Sequence, residues 1–200
     1  MANGNAASAH VRDPGWTPLG AAAAAVALPL LAWPLAGELL PDAVSVSSGR
    51  PVVVGEGGGY EATARFEPGW TELPAESSEG ELLVYRRGRV LLQVRVVRPP
   101  QGAPEGAHDL WRGFERITRA WDPSARFGEP SETTGDAGAE GLTGLLEVDG
   151  ASGTAAVFPS PGGGFAVEFA TTADRFASVR DVQAAGRVVD SVAFSEEEER

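Results

Sequence analysis

The chain has 200 residues, 42% of them hydrophobic, which suits one domain of ordinary size with a sizeable core plus an appendage. It contains no cysteine, so a disulfide framework, a thiolate metal site, a cysteine nucleophile and lipid attachment through an N-terminal cysteine are all excluded. Its net charge of −12 argues against nucleic acid as a general ligand, because affinity there comes from neutralising phosphates with a basic surface. All 16 basic residues are arginine, and alanine, glycine and proline are abundant, a bias expected of a GC-rich bacterial genome.

Residues 1–14 form a short polar N-terminal tail, followed by residues 15–37, which carry no charge. At about 1.5 Å per residue such a helix is long enough to cross the hydrocarbon core of a membrane. Three readings compete: an uncleaved transmembrane anchor, a cleaved signal peptide and a buried core helix. The apolar run is long for a signal peptide and its small-residue cleavage sites are poor. Pro29 and Pro34 would break a helix in water but are better tolerated in a membrane. The anchor is therefore the leading expectation. Arg12 ahead of the segment, with Glu38 and Asp42 after it, biases the N-terminus to the cytoplasm and the rest of the chain outside it; cleavage would make the product secreted.

Residues 38–59 read as a linker and a first strand at 44–54. From residue 60 the period is two, the mark of strands with one buried face. Residues 61–66 alternate and stop at Pro68-Gly69. Residues 81–87 and 90–98 form a hairpin around Arg87-Gly88-Arg89. An amphipathic helix follows, with Leu110, Phe114, Ile117 and Trp121 as its apolar stripe, ended by Asp122-Pro123. A long loop, with room for a short strand near Phe127, leads to a meander at 142–148, 154–158 and 165–170. A second helix starts at Ser178, where Ser-Val-Arg-Asp resembles a capping box, with Val179, Val182 and Val189 as its apolar stripe. It runs into a short strand at 192–194, and residues 195–200 are a solvated acidic tail.

Motifs that carry chemistry are scarce. Without lysine a P-loop is impossible, and no His-Glu-x-x-His pattern occurs. His108 is the one histidine beyond the apolar segment, and it reads as part of a helix start rather than as a base. The glycines at 55 and 57–59 lack dinucleotide-binding spacing and join two strands; Ser152 does not fit a nucleophile elbow and reads as a turn serine. No catalytic, cofactor-binding or metal-binding residue is assigned, and the expectation is a non-enzyme without a cofactor.

The order of elements resembles the PsbP-like family. The residues that carry the resemblance are Phe66-x-Pro68-Gly69-Trp70 near the start and Val188-Val189-x-Ser191-Val192-x-Phe194 at the close. It spans residues 60–194 and implies an α+β fold: an antiparallel sheet of about six to seven strands flanked by two helices, here preceded by a single transmembrane helix. It also implies that Trp70 packs at the edge of the core rather than serving as an exposed ligand anchor. The family includes photosystem subunits, nuclear-transport accessories and small bacterial envelope proteins, without a shared catalytic site.

Charge supplies the remaining expectation. Residues 86–119 hold eight arginines against Glu105, Asp109 and Glu115. Arg86, Arg87 and Arg89 at the hairpin, with Arg112, Arg116 and Arg119 on the helix, are candidates for a basic docking patch for an acidic envelope protein or anionic lipid headgroups. The plain alternative is that they solubilise the hairpin and helix and guard a sheet edge. The function expected is an anchored extracytoplasmic accessory domain supporting assembly or secretion of an envelope complex. The alternatives are a module for a small molecule or cell-wall polymer, and a carboxylate hydrolase.

Overall fold

The structure is a computed structural model, and it describes residues 43–78, 80–99 and 106–197. The apolar segment 15–37, on which the anchor expectation rests, lies outside them. Among the described residues no helix is long and apolar enough to cross a membrane.

The described residues form twelve strands and two α-helices in the order β1 (Val44–Ser45), β2 (Pro51–Gly57), β3 (Tyr60–Arg65), β4 (Thr71–Glu72), β5 (Leu82–Arg87), β6 (Val90–Val97), α1 (Ala107–Trp121), β7 (Arg126–Phe127), β8 (Ser131–Thr134), β9 (Glu140–Val148), β10 (Ala151–Pro159), β11 (Ala166–Ala173), α2 (Val179–Asp190) and β12 (Ala193–Glu196). All pairings are antiparallel. The main sheet has nine strands, in the order β1-β4-β5-β6-β11-β10-β9-β7, with β8 also on β9; a second sheet has the order β12-β3-β2.

The α+β class and the two flanking helices agree with the sequence reading, whereas the sheet is wider than six to seven strands. The additional strands β4, β7 and β8 are two to four residues long, too short to show a period. The single strand expected at 44–54 is two strands in different sheets. Ser48, Gly49 and Arg50 form a bend, and Gly49 holds a positive φ of 76° that lets the chain leave one sheet for the other. Ser152 lies within β10 rather than in the turn, which Asp149 (φ 47°) and Gly150 (φ 75°) form.

Two apolar clusters lie on opposite faces of the main sheet. On one face Leu92, Val94, Val167 and Phe169 pack with Ala62 and Ala64 of the small sheet and with Ala184, Ala185, Val188 and Val189 of α2. On the other, Ala155, Val157, Leu142 and Leu146 pack under Trp111 and Phe114 of α1. Ser178 caps α2 by accepting from the Asp181 N–H, as the sequence predicts. The apolar stripes of both helices hold only in part, at Phe114 and Val189. In α1 the buried pair is Trp111 and Phe114, while Ile117 and Trp121 are exposed; in α2 Val179 and Val182 are exposed and two alanines take their place. Ala184 and Ala185, with Val188 and Val189, carry the contact with the core.

Trp70 is 1% exposed and sits edge-on to Phe66, 5.9 Å between ring centroids, and Tyr85 lies tilted against Phe66 at 4.6 Å. The Pro68-Gly69 turn thus drops an aromatic into the core. Glu67, just before it, holds the turn to the rest of the domain. Arg187 of α2 donates two hydrogen bonds to the Glu67 carboxylate at 2.7 and 2.9 Å, and Arg87 donates a third at 3.3 Å.

Candidate functional site

Pleat and register place the arginines expected from the sequence. Successive side chains of a strand point to opposite faces. On β10, Val157 faces α1, and it pairs with Glu168 of β11, which pairs with Arg95 of β6, which pairs with Leu82 of β5. The side chains at 82, 84 and 86 therefore share the α1 face with those at 91, 93, 95 and 97. Arg86 is on that face and exposed; Arg87, its neighbour, is on the other.

Arg87 is a correction to the patch drawn from sequence. It is 7% exposed and donates from Nε to Asp181 Oδ1 at 2.9 Å, in addition to its bond to Glu67. It ties the hairpin to α2, because a guanidinium taken out of water has to be matched by carboxylates. Hydrogen bonds from Arg187 hold the Glu67 carboxyl below the ordinary carboxylate value, with Arg87 adding to this. Those from Ser178, then Arg87, do the same at Asp181. Arg89, at the hairpin tip, is exposed and pairs with Asp174 at 2.9 Å. On α1, Arg112 pairs with Asp109, Arg119 reaches Glu115 at 3.4 Å, and Arg116 is exposed. The structure thus joins Arg86 with the three α1 arginines on one side of the sheet, and separates Arg87 and Arg89 from them.

On the α1 face lies a feature that the arginine count does not reveal. The helix packs on β9 and β10. Its flank bearing Glu115 and Arg119 faces the β7 edge, where Trp111 meets the Phe127 ring at 5.6 Å and Arg119 lies over it at 6.0 Å. The opposite flank carries Leu110, Ile117 and Trp121, since these project within a narrow arc at 100° per residue. Beyond that flank the strip of β5 and β6 is partly open: Arg86 and Gln93 are exposed and Leu91, Arg95 and Val97 are half-buried, while Val84 in the middle of β5 is buried. The short 3-10 turn Pro74–Glu76 closes the far side, where the Leu73 N–H donates to the Val84 carbonyl at 2.8 Å. The result is an open strip floored by Leu91, Gln93, Arg95, Val97 and Arg86 and walled by Ile117 (39% exposed) and Trp121 (84% exposed).

Under the strip lies the pair Arg95–Glu168, 3.7 Å apart. Glu168 is 2% exposed, and burial pushes its carboxyl up to about 7 against the pull of Arg95. Neither Arg95 NH1 nor Glu168 Oε2 has a hydrogen-bond partner. His108 is exposed in the first turn of α1, beside a shallow depression of about 410 Å3 that Glu132, Glu140 and Pro159 also line. The described residues contain no group of three or more acidic or imidazole side chains placed to hold a metal ion.

No protein-family model matches the chain, and no curated protein matches it. Solved structures do. The solution structure of cyanobacterial PsbP (CyanoP) from Synechocystis sp. PCC 6803 superposes with a TM-score of 0.50 at 15% identity, covering 78% of this chain and 94% of that one. The fold is PsbP-like. A crystal structure from Bacteroides thetaiotaomicron VPI-5482 matches at a TM-score of 0.38 and 14% identity, over 70% of this chain and 47% of that one, too distant to add to the assignment. The PsbP-like frame gives Trp70 its place: the turn and aromatic that suggested the fold in sequence form part of its core.

Proposed function

We propose that the protein is a membrane-anchored, extracytoplasmic, non-catalytic accessory protein whose PsbP-like domain binds another protein of the cell envelope. The anchor is residues 15–37. The docking surface is the open strip between α1 and the β4–β5 edge together with the outer face of α1, with Arg86 on the strip and Arg112 and Arg116 on the outer face of the helix as its basic groups. The observation that carries this reading is the exposure of Trp121 and Ile117 beside half-buried Leu91 and Val97, because aromatic and aliphatic side chains beside arginines are what buried interface centres use. The excess of positive charge there suits an acidic partner and steers its approach. The test has two parts. A carbonate wash should leave the full chain with membranes, and protease added to spheroplasts should digest the domain. Pull-down after cross-linking of intact membranes should recover one stoichiometric protein, and charge reversal at Arg86, Arg112 and Arg116 should release it in a salt-sensitive way. A soluble chain, or equal recovery by the reversed variant, refutes the corresponding part.

A further inference from the structure

One end of the domain is built unlike the rest of its surface. It comprises the β5–β6 turn, the segment after β11 and the start of α2. Phe176 is 65% exposed and Val179 73%, with Val182 exposed one turn further on. Two guanidinium groups lie over the Phe176 ring, Arg175 at 4.7 Å and Arg89 at 5.6 Å from its centroid. The acids of this end are already engaged: Asp174 by Arg89, Asp181 by Arg87, and Glu67 by Arg87 and Arg187. Arg175 and Arg180 are exposed and form no ion pair among the described residues. An acidic chain thus presents a tip whose apolar side chains protrude and whose uncompensated charge is positive.

We propose that this tip rests on the anionic lipid headgroups of the membrane that holds the chain. Protruding Phe and Val with flanking arginines match an interface in which apolar groups enter the boundary and guanidinium groups pair with phosphates. The inference rests on the anchor reading above, and the sequence gives it the reach it needs. Residues 38–43 between the apolar segment and β1 extend to about 20 Å. Val44, the first residue of β1, stands level with Glu72 and Tyr85 in adjoining strands, so the chain enters the sheet about 10 Å to the side of the hairpin and about 10 Å short of its tip. A contact of this size is weak in free solution, but tethering converts it into an intramolecular one at high effective concentration. Docking the tip would fix the orientation of the open strip relative to the membrane.

The test uses the full chain reconstituted into vesicles of phosphatidylcholine alone or with phosphatidylglycerol. The chain has no cysteine of its own, so Val179→Cys carries a single environment-sensitive fluorophore, with Val53→Cys on β2 as the control. The proposal expects a blue shift at position 179 in the phosphatidylglycerol vesicles only, none at position 53, and loss of the shift on adding Arg175→Glu and Arg180→Glu while near-ultraviolet circular dichroism stays native. An unshifted label on a chain that floats with the anionic vesicles overturns the docking and leaves the anchor standing. An equal shift in both vesicles overturns the role of charge, and a shift that needs an added membrane protein overturns lipid as the occupant. A chain that fails to float with any vesicle refutes the anchor itself, and the docking with it.

Discussion

The indole of Trp111 in α1 lies against the backbone of Gly144 in β9, so closely that a Cβ on Gly144 would stand 3.0 Å from Cη2 and 3.1 Å from Cζ2. This contact, with the edge-on rings of Phe114 and Phe127, seats α1 over β9 and β10 and leaves β5 and β6 open on that face.

Gly144→Ala should therefore disturb the seat of the helix. The indole is buried and would have to shift by a few tenths of an ångström, and overpacking of this kind costs about 1–3 kcal/mol. The thermal midpoint should fall by roughly 2–4 °C per kcal/mol for a chain of this size. An unchanged midpoint would mean that α1 is not held by this contact.

Adjacent arginines of β5 should behave oppositely. Arg87→Ala leaves Asp181 and Glu67 without a shared cation; because both carboxylates keep some access to water, the loss should be about 1–3 kcal/mol, below that of a fully buried pair. Arg86→Ala, on the exposed face, should stay within about 0.5 kcal/mol. The advantage of the parent over Arg87→Ala has a pH window as well. Both carboxyls are held below their ordinary values, so the stability they contribute is present above those values and is lost as pH falls through the lowered ones. Urea titrations at neutral and acid pH measure both effects.

Glu168 should show the reverse sign. Its carboxyl is raised from 4.5 to about 7, chiefly by burial. The folded state then binds more protons than the unfolded one between those values, so its contribution is intact below about 4.5 and is lost as pH rises through about 7. Glu168→Gln removes that dependence. The variant should match the parent at low pH and exceed it by about 3 kcal/mol above pH 7, the equivalent of the shift. A difference that does not change between acid and alkaline pH would show that the carboxyl does not titrate in this range.

Much of the fold was legible because period two and turn chemistry are local. The hairpin around Gly88, the meander through Asp149-Gly150 and the Ser178 cap all stand where their residues place them. What a helix packs against is not local. The stripe of Leu110, Phe114, Ile117 and Trp121 is buried only at Phe114, because the helix turns towards Trp111, and that choice is made by Gly144 and Phe127, distant in sequence. The same holds for Arg87: its role depends on Glu67 and on Asp181, 94 residues away. The candidate strip was half legible for this reason, its arginines visible as a run and its apolar wall mistaken for core.

The most direct test of the proposed function is site-specific photo-cross-linking from Gln93, exposed on the floor of the strip, in intact membranes, with Val53 as the reference position. A photoreactive side chain at 93 should give one discrete protein adduct that position 53 does not, and the adduct should weaken with salt and disappear when Arg86, Arg112 and Arg116 are reversed in charge. A folded, membrane-held chain that gives no adduct at 93, or the same adducts from both positions, would contradict a protein-binding role for this face.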